Sequence, residues 1–600
     1  MKNWIIKKNY INLDLMIRTL KIDYDLANLL AKQNICTKNQ AIKFLNPKEE
    51  FMYDISLMKD IDKTIEIIKN AIEMKKKIII FGDYDVDGVM STVILYKTLS
   101  ILDADVDFYL PSRNTDGFGL NINLINKFYS DGVNLIITCD NGIVALDEIA
   151  LAKKLNIQVV VIDHHFPNTN QNDFKDVLPL ADAIIDNKQQ QCNYPFKMLC
   201  AAGMAYEVYD CILSKNILNV KHKNNFYLKN DLLIFSTIGT LCDVVDLKED
   251  NRIITTLGLK LINEKKIKNK GLIELLKLNN LYDKKISAED ISFIIGPCIN
   301  ACGRLETANL AIKLFLSEYD QEIKETAKKI FDLNNKRKIM TRDACEEIFF
   351  DLENNYDLKN HPVIVYYNPN VNESIAGIIA GRIKEKYFHP VIFFTDSNEK
   401  EIIKGSARSI ESYNIFDELQ KFQELFIKFG GHKLAAGMSM LKKNLDILDM
   451  KLNSNCKLNE NDFIEKIEIN DEIDFKKINF AFLNKINLLA PFGHENRKPL
   501  FMSRKVKVKK INASSEKNFV IFELEQNQKL IKAVGFGLYN YFCEQLKIYF
   551  DSYIYTKILN GYLNDIDLFL DIVYSIEANE FNNKIYLQLR LKDFRLAEEF

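Results

Sequence analysis

The sequence predicts an α/β protein of several domains, built around a doubly wound parallel sheet. Three short apolar runs rich in Ile and Val each stop abruptly at an aspartate, as strands buried on both faces of a parallel sheet do. Helical patterns separate these runs, which is typical of βαβ units. A chain of 600 residues is long enough for about three or four domains, each with its own core.

Acidic and histidine residues follow the apolar runs. The segments concerned are IIIFGDYDVDG, LIITCDNG, VVVIDHH and IFSTIGTLCDVVD, which begin at Ile78, Leu135, Val159 and Ile234. Because ligands of open α/β sheets bind beyond the carboxyl ends of the strands, these side chains should share one edge. They are Asp83, Asp85, Asp87, Asp140, Asp163, His164, His165 and Asp243. So much negative charge requires cations, and oxygen ligands with an imidazole suit Mg²⁺ or Mn²⁺.

The segment DYDVDG alone is ambiguous, because an EF-hand calcium loop opens in the same way. The twelfth position of such a loop requires a glutamate and here holds Ile94, which excludes an EF-hand. Each aspartate could instead be a turn or N-cap residue. That interpretation stays open for any one motif, but four motifs with Asp placed alike favour a shared site. The chain has only seven histidines, and two of them directly follow Asp163.

The bulk properties exclude several classes of protein. The net charge of −2 offers no global basic field, so a nucleic-acid site must be a local patch. Eleven cysteines without a C-x-x-C pair indicate reduced core thiols. No apolar stretch reaches the ~18 residues of a membrane span, and the first residues lack the apolar core of a signal peptide. We expect a cytoplasmic monomer that does not bind membranes.

The patterns divide the chain into five predicted parts. They are an N-terminal helical segment (1–70), the α/β domain with the acidic edge (71–311), a connecting helix (312–355), a second, smaller α/β domain (356–465) and a C-terminal β-barrel (466–600). The connecting helix is predicted because 312–353 contains no Pro or Gly. Two shorter helices with a turn near Asn334 and Asn335 are the alternative.

The second α/β domain contains three segments that combine small residues with Ser, Arg and His. They are NESIAGIIAGR, KGSARS and FGGHKLAAGM. Glycine lets backbone N–H groups approach an anion, and arginine supplies a two-pronged donor, so these segments predict a phosphate site. Each one alone could be a packing glycine. The candidate residues are Ser406, Arg408, Gly430, Gly431 and His432, with Arg113 and Arg304 contributed by loops of the first domain.

The C-terminal part is predicted to be β-rich and locally basic. Seven basic residues and no acidic one lie between Arg497 and Lys510. A small barrel with a basic face and aromatic side chains suits single-stranded nucleic acid. The alternative is a solvated edge strand that lysines protect from aggregation. The candidate nucleic-acid-binding residues are Arg504, Lys505, Lys507 and Lys509.

Together, these motifs resemble the DHH phosphoesterase superfamily, and within it the RecJ family of single-stranded-DNA-specific 5′→3′ exonucleases, over nearly the whole chain. The similar segments are GDYDVDGVMST, CDNG, Asp163-His164-His165, LCDVVDL, GRL, SIAGIIAGR, KGSARS and FGGHKLAAG, the last three marking a DHHA1-type domain. PFGHENRKPLF and NEFNNKIYLQLRLKD resemble parts of an oligonucleotide-binding (OB) barrel. The chain departs from relatives at Phe81, where some have His, and at HENRKP, which replaces a loop richer in Gly and Pro.

The resemblance implies an exonuclease that uses two Mn²⁺ or Mg²⁺ ions to hydrolyse single-stranded DNA from its 5′ end to 5′-mononucleotides. It also implies a role in DNA repair and recombination. The implied metal ligands are Asp85, Asp87, Asp140, His164 and Asp243, with Asp140 bridging. Asp83 is a further ligand or supports one, Asp163 orients His164, and His165 contacts the scissile phosphate. Ser406, Arg408 and His432 would bind the 5′-terminal phosphate. A helicase and a single-strand-binding protein are the implied partners.

Two other functions compete with this interpretation. Superfamily members that degrade short oligoribonucleotides or cyclic dinucleotides resemble the two α/β domains alone, so the additional C-terminal ~130 residues favour a longer polymer. A barrel can also bind protein, however. The other alternative is a catalytically silent replication scaffold, and the presence of every ligand residue argues against it.

Overall fold

The computed structural model describes residues 2–8, 12–112, 117, 119–170, 174–214, 225–563, 566–582 and 584–597. The chain forms two units. One comprises residues 1–48, 247–249 and 465–600, and the other comprises 49–246 and 250–464. Within the described residues, every helix is too short or too polar to span a bilayer. No disulfide joins any of the eleven cysteines, all of which lie among the described residues.

The N-terminal residues form one strand and three short helices. They are β1 (Asn3–Ile6), α1 (Leu13–Leu20), α2 (Tyr24–Ala31) and α3 (Lys38–Leu45). Each helix begins after a polar residue whose side chain accepts a hydrogen bond from the first turn: Asn12, Asp23 and Thr37. These helices are too short to be stable alone and therefore depend on packing.

The doubly wound domain follows. Its elements are α4 (Ile61–Glu73), β2 (Ile78–Phe81), α5 (Val86–Ser100), β3 (Val106–Tyr109), α6 (Ile122–Ser130), β4 (Leu135–Cys139), α7 (Leu146–Lys154), β5 (Gln158–Ile162), β6 (Asn168–Thr169), β7 (Asp176–Val177), β8 (Ala183–Ile185), α8 (Ala201–Ser214), α9 (Asn225–Cys242), α10 (Glu249–Asn263), α11 (Lys270–Leu278), α12 (Ala288–Asp290), α13 (Gly296–Leu305) and α14 (Asn309–Leu316). Strands β2 and β4 are buried along their whole length, which explains their continuous apolar sequences.

The main sheet has the order β3-β2-β4-β5-β8, and all its pairs are parallel, which confirms the predicted doubly wound sheet. From β2 the chain passes first to β3 on one side and then to β4 on the other. The crevice between β2 and β4 is therefore the topological switch point, where α/β sheets bind ligands. Register places Cys139 opposite Ile162 and Ile162 opposite Ile185, so β4, β5 and β8 end level with one another.

A single helix of 36 residues, α15 (Asp320–Asn355), continues through Asn334 and Asn335. It leads into the second α/β domain, whose elements are β9 (Ile364–Tyr367), α16 (Ala376–Tyr387), β10 (Val391–Asp396), β11 (Ile402–Arg408), α17 (Ile415–Gln420), β12 (Phe426–His432), β13 (Ala435–Leu441) and α18 (Leu445–Ser454). The sheet order is β12-β13-β11-β10-β9, in which only β9 and β10 are parallel.

The C-terminal residues form a closed five-stranded barrel, which confirms the predicted OB-like fold. Its elements, with the strands and helix that precede it, are β14 (Lys466–Ile469), β15 (Asp471–Glu472), α19 (Phe480–Asn487), β16 (Phe501–Ser514), β17 (Phe519–Gln526), β18 (Lys529–Phe536), α20 (Tyr539–Tyr549), α21 (Ser552–Leu559), β19 (Phe569–Phe581) and β20 (Lys584–Leu596). The order β16-β17-β18-β20-β19 closes because β19 also pairs with β16.

The two ends of the chain share one fold. Strand β1 pairs in parallel with β14, and the Trp4 indole donates a hydrogen bond of 2.7 Å to Asp593. Leu30 of α2 is buried in the same apolar core as Phe522 of the barrel. The segment predicted as 1–70 is thus divided at residue 48. Its first part buries apolar side chains against the barrel, while α4 packs beside β8 of the doubly wound sheet.

Candidate active site

Three aspartates lie at the switch point, Asp83 and Asp85 in the loop from β2 to α5 and Asp87 in the first turn of α5. Asp83 is buried, and Asp85 caps α5 by accepting a hydrogen bond of 3.1 Å from the Gly88 N–H. The Asp87 carboxylate accepts hydrogen bonds of 2.7 and 2.9 Å from the N–H groups of Ala201 and Ala202. These are the first residues of α8, where the helix dipole favours an anion. The fold therefore holds this loop from two sides.

Asp140 and His164 join the same cluster from neighbouring strand ends. Asp140 directly follows β4 with φ of 64°, a left-handed conformation that Asp and Asn tolerate better than most residues. Its Oδ1 lies 3.1 Å from His164 Nε2. The same nitrogen lies 3.6 Å from Asp243 Oδ2 and 3.9 Å from Asp87 Oδ2. Asp243 arrives from the end of helix α9 and not from a strand. One imidazole nitrogen thus faces three carboxylates.

Asp163 organises the two histidines through its first carboxylate oxygen. Oδ1 accepts hydrogen bonds from the main-chain N–H groups of His164 and His165, at 2.8 and 3.2 Å. The same oxygen lies 2.7 Å from His165 Nδ1, and Oδ2 accepts a bond of 3.0 Å from the Ile143 N–H. The ring that Asp163 contacts is therefore that of His165, two residues ahead, whereas its contact with His164 is through the main chain. This differs from the predicted orientation of the His164 ring.

Burial and mutual repulsion shift the protonation of this cluster. Burial, together with the neighbouring aspartates, raises the pKa of Asp140 and of Asp243 well above the ordinary value, and that of Asp87 to about 6. Burial lowers the pKa of His164 to about 3, so its imidazole is neutral. Burial works against charge on His165 too, but the hydrogen bond to Asp163 raises its pKa to about 9. A bound cation would stabilise the ionised form of these carboxylates, and the neutral imidazole leaves a nitrogen available to bind it.

The donor set fits divalent metal ions. Three groups place their donor atoms within 4.8 Å of one another: Asp83, Asp85 and Asp140; Asp87, His164 and Asp243; and Asp140, His164 and His165. The buried Oδ2 of Asp243 has no hydrogen-bond partner among the described residues. Carboxylate oxygens with one imidazole suit Mn²⁺ or Mg²⁺. Asp140 and His164 each belong to two of the groups, and the bridging position of Asp140 stays a prediction.

The predicted phosphate residues of the second domain share one face of its sheet. Register places Arg408 of β11 opposite Ala435, and Ala435 opposite His432 of β12. Ser406 is likewise in line with Gly430, with Gly437 between them. Alternate residues of a strand point to the same side, so Ser406 and Arg408 lie on the same face. The small residues between the rows leave this face open to an anion.

Arg408 is a half-buried cation that forms no ion pair within the described part of the chain. Its Nη1 donates hydrogen bonds to Ser406 Oγ at 3.3 Å and to the Ala407 carbonyl at 2.8 Å. No carboxylate of the described residues lies within 4.0 Å of it, and burial lowers its pKa. Near the start of α16, a Cβ on Gly377 would lie 3.1 Å from Arg408 Nη2. The helix N-terminus and the guanidinium therefore converge, as in an anion site.

Two of the remaining predicted residues, Arg304 and Gly431, lie near these two groups. Arg304, at the end of α13, donates a hydrogen bond of 2.8 Å to the Ser374 carbonyl of the second domain. A Cβ on Gly303 would lie 2.6 Å from the Tyr84 carbonyl, so glycine lets α13 approach the loop between β2 and α5 closely. A Cβ on Gly431 would lie 2.4 Å from the Ala435 carbonyl. Arg113 lies outside the described residues.

Known proteins share this domain organisation. The model of the DHH family N-terminal domain matches residues 77–240, that of the DHHA1 domain matches 360–457, and that of the RecJ OB domain matches 469–593. The single-stranded-DNA-specific exonuclease RecJ of Bacillus subtilis (strain 168) is 33% identical over 577 residues. The match covers 95% of this chain and 68% of that relative. The chain belongs to the RecJ family.

Other members of the RecJ family extend the match. RecJ of Haemophilus influenzae (strain Rd) is 29% identical, over 92% of this chain and 93% of its own. The crystal structure of RecJ from Thermus thermophilus in complex with Mn²⁺ matches with a TM-score of 0.80 at 20% identity. It aligns with 100% of this chain and covers 80% of that one. The fold of the RecJ family thus extends over both units of the chain.

Two side chains at the catalytic edge of this RecJ-family chain were not predicted. Asp186 is fully buried and follows β8, so the short run AII ending at Asp carries the same signal as the other strands. Burial raises its pKa to about 8. Lys188 follows two residues later, and its N–H donates a bond of 2.7 Å to Asp186 Oδ1. No sequence pattern marks Lys188.

The predicted nucleic-acid residues of the barrel lie on β16, and most are paired with acids. Arg504 lies 3.2 Å from Glu472, Lys507 lies 2.5 Å from Asp567, and Lys509 lies 3.3 Å from Glu525. Lys505 lies at an irregularity of the β16–β19 ladder, with φ of 49°. The RecJ-family barrel therefore presents less free positive charge on β16 than its sequence suggests.

Proposed function

We propose that this chain is a metal-dependent exonuclease that hydrolyses single-stranded DNA from the 5′ end and releases 5′-mononucleotides. The observation that carries the proposal is the cluster of carboxylates around the neutral His164. The unit that contains this cluster also contains Arg408, the residue predicted to bind a phosphate. The RecJ relatives are named for single-stranded DNA, which supports the substrate class. Two Mn²⁺ or Mg²⁺ ions would supply a water of lowered pKa and stabilise charge on the phosphate.

The chain's own residues would hold and polarise the substrate. His164, neutral, and Asp85, Asp87, Asp140 and Asp243 would bind the metal ions. His165 stays protonated at neutral pH because Asp163 accepts its Nδ1–H bond, so it can donate to an oxygen of the scissile phosphate. Positive charge would thus face the phosphate both from the fixed imidazolium of His165 and from the metal ions.

The direction of digestion would follow from the second domain. Ser406, Arg408 and His432 lie on one sheet face, and we assign the 5′-terminal phosphate to this face. A terminal phosphate carries more charge than a phosphodiester, so a desolvated arginine at a helix N-terminus would select it. The enzyme would then release one nucleotide at each cleavage.

The direct test is digestion of a 5′-phosphorylated single strand labelled at either end, with Mn²⁺ and with EDTA. A matched duplex and a dinucleotide serve as controls. The proposal predicts metal-dependent release of mononucleotides from the 5′ end, with the duplex spared. Release from the 3′ end would contradict the polarity. Cleavage of the dinucleotide alone would instead indicate a small-substrate phosphodiesterase, and the barrel would then require another role.

Replacement of Arg408 by alanine is expected to reduce the preference for a 5′-phosphate over a 5′-hydroxyl. A charge-assisted hydrogen bond to phosphate contributes about 1.5–3 kcal/mol, which corresponds to roughly 10- to 100-fold in kcat/KM. The measurement is the ratio of kcat/KM for strands that differ only in the 5′ group. Arg408→Lys should be intermediate, because lysine keeps the charge without the planar fork.

The matched control for this variant is Arg342→Ala, which removes an exposed arginine of α15 in the same unit. The preference of the control should equal that of the unmodified protein. An equal loss on phosphorylated and hydroxyl ends would contradict the assignment of Arg408 to the terminal phosphate.

For the barrel, we propose that the strand contacts the β18–β20 face in addition to β16. Phe536 is 53% exposed at the end of β18, and the Arg590 guanidinium of β20 lies 4.0 Å from the centre of its ring. Tyr586 and Leu530 are exposed on the same pair of strands, beside a cavity of about 510 Å³. Exposed aromatic rings with an arginine suit sequence-independent stacking of bases.

Removal of Phe536 and Arg590 together is expected to weaken the affinity for single-stranded DNA by about tenfold, the size of one lost stacking contact. The pair Lys507→Gln and Lys509→Gln should weaken it by less than about threefold near 0.15 M salt, because these lysines are already paired with acids. The measurement is fluorescence anisotropy with a labelled strand in EDTA.

The control for the barrel variants is Tyr553→Ala. It removes another exposed aromatic ring with a nearby cation, since Lys557 Nζ lies 4.5 Å from the Tyr553 ring centre on α21. Its affinity for the strand should not change. If the lysine pair has the larger effect, β16 is the principal nucleic-acid face.

We further propose that the enzyme acts in DNA repair and recombination in the cytoplasm, where a helicase and a single-strand-binding protein supply its substrate. This setting follows from membership in the RecJ family. A duplex-sparing nuclease requires another protein to open the duplex, so a helicase added to the digestion should render the duplex control a substrate.

A further inference from the structure

Lys188 is a cation at the catalytic edge that has no part in the mechanism above. It lies three residues beyond Ile185, the last residue of β8, just as His165 lies three residues beyond Ile162 of β5. Ile162 and Ile185 are paired in the sheet, and the Asp163 N–H donates a bond of 3.0 Å to the Ile185 carbonyl. The two loops therefore leave adjacent strands at the same level, and Lys188 and His165 emerge side by side.

The Lys188 ammonium has no ion-pair partner among the residues that the structure describes, and an aromatic ring holds it. Its Nζ lies 4.7 Å from the centre of the Phe166 ring, and Phe166 directly follows His165. Phe166 is 73% exposed, so the ring forms a wall of the site and not part of the core. Among the described residues, no carboxylate oxygen lies within 4.0 Å of Lys188 Nζ. A cation over an aromatic face is held in position without being neutralised.

Basic side chains from three separate elements lie near this point. His165 follows β5, Lys188 follows β8, and His432 ends β12 of the facing domain. Burial lowers the pKa of His432, and repulsion from His165 and Lys188 lowers it further, so the three groups lie within reach of one another's charge. Burial lowers the pKa of Lys188, and attraction from Asp186, Asp243, Asp163 and Asp246 raises it. His165 and Lys188 repel one another, and an anion between them would relieve that repulsion.

We propose that Lys188 donates a hydrogen bond to a non-bridging oxygen of the scissile phosphate, opposite His165. The inference rests on the proposed function and adds a substrate contact to it. The scissile phosphate is favoured over the terminal phosphate because Lys188 belongs to the metal edge, whereas Ser406 and Arg408 lie on the sheet of the second domain. The contact would stabilise charge that develops on the phosphoryl oxygens during hydrolysis. No bond to Lys188 forms or breaks.

Phe166 is assigned as a positioning residue for this lysine. Lysine has a flexible stem with several rotatable bonds, and an unguided ammonium would lose much of its freedom when it meets the phosphate. The aromatic face restricts the ammonium beforehand. Phe166→Leu should therefore reduce the rate by a smaller factor than loss of the lysine itself, and it should leave the metal ligands unchanged.

The test compares Lys188→Gln, Lys188→Arg and the control Lys260→Gln in single-turnover digestion with Mn²⁺. Lys260 is an exposed lysine of α10 in the doubly wound domain. Lys188→Gln is expected to slow cleavage by about 10²-fold, equally on 5′-phosphorylated and 5′-hydroxyl strands. Lys188→Arg should recover much of the loss because it restores the charge. The melting temperature should not fall, since no ion pair of the described residues is broken.

A second readout separates contact with the phosphate from a general structural role. Sulfur replaces one non-bridging oxygen of the scissile linkage, in each of the two stereoisomers. In the unmodified protein, the isomer with sulfur at the oxygen that Lys188 contacts should be cleaved more slowly. Lys188→Gln should lose this particular stereochemical difference, whereas Arg408→Ala should retain it.

Each outcome is decisive. An unchanged rate in Lys188→Gln, or a stereochemical difference that persists in it, would overturn the proposal. A loss confined to 5′-phosphorylated strands would also overturn it, because Lys188 would then contact the terminal phosphate. If Lys188→Gln does not fold, Lys188→Arg and Phe166→Leu give the same two readouts. An unmodified protein without nuclease activity would refute the proposed function itself, independently of Lys188.

Discussion

Asp140→Asn is expected to lose cleavage of single-stranded DNA by about 10³-fold or more. Loss of a carboxylate shared by two groups of donor atoms removes several kcal/mol of charge stabilisation in the transition state. Asparagine is the appropriate substitute because the residue has φ of 64°, which Asn adopts more readily than Ala. The measurement is the rate of mononucleotide release with saturating Mn²⁺.

The same variant should be at least as stable as the unmodified protein in EDTA. Burial raises the pKa of Asp140, so its ionised carboxylate opposes folding when no cation is bound. Mn²⁺ at 100 times its Kd should raise the free energy of unfolding of the unmodified protein by about 2.7 kcal/mol and therefore raise its melting temperature. The increase should be much smaller in the variant. Asp131→Asn, at an exposed aspartate of the same domain, serves as the control.

Two results would contradict this account of Asp140. Retention of more than about a tenth of the activity would mean that Asp140 does not bind a metal ion that the reaction requires. A lower melting temperature in EDTA, with a strand affinity that falls in parallel, would mean that the carboxylate supports the fold and not the chemistry.

Asp163→Asn is expected to shift the alkaline limit of activity to lower pH. The Asp163 carboxylate raises the pKa of His165 to about 9, although burial opposes the charge. Without that negative charge the imidazole loses its proton at lower pH, so activity that depends on imidazolium falls sooner as pH rises. We expect a loss of about 10- to 100-fold near pH 8.5 and a smaller loss near pH 6. The measurement is the pH dependence of kcat.

The stability of Asp163→Asn should depend on pH in a defined direction. The folded-state pKa of His165 lies above its ordinary value of about 6.5, so its protonation stabilises the fold fully below about pH 6.5, and this contribution is lost as pH rises through about 9. The variant should therefore lose more stability at about pH 6.5 than at about pH 9.5. A further loss of about 1–3 kcal/mol, independent of pH, is expected because the amide would face the Ile143 N–H.

A matched carboxylate–imidazole pair provides the control for Asp163. His361 Nδ1 lies 3.2 Å from Asp449 in the second domain. Asp449→Asn should leave the pH dependence of kcat unchanged. If Asp163→Asn shows the same pH profile as the unmodified protein, His165 does not act as a cation in the reaction.

Most of the catalytic edge could be predicted because it depends on short-range patterns. A run such as LIITC ends at Asp140 because the residue beyond a buried strand returns to the edge of the sheet, and parallel strands share that edge. Asp186 obeys the same rule and could have been found, although β8 has only three residues. Asp243 was likewise predicted from an apolar run that ends at an aspartate, but that run is helix α9 and not a strand.

The electrostatic partners of the barrel could not be predicted in the same way. Lys509 and Lys510 pair with Glu525 and Glu523 only because β16 and β17 align in one register, which includes an irregularity between Val508 and Lys510. A one-residue change in register would move every side chain to the other face. Lys188 could not be predicted for a similar reason. The groups around it, such as His165, Asp243 and His432, belong to separate elements of the chain.

The pairing of β1 with β14 has a consequence for the order in which this protein folds during synthesis. Asn3 pairs with Lys466, so the first strand leaves the ribosome without its partner. At about 5–20 residues per second, it waits roughly 25–90 s while the unit that contains the metal edge emerges and folds. Chaperones would meet an unpaired strand and three amphipathic helices during that interval. For the same reason, removal of the barrel by proteolysis or truncation would leave the first 48 residues without the core against which they pack. A nuclease core prepared without the barrel should therefore begin near residue 49.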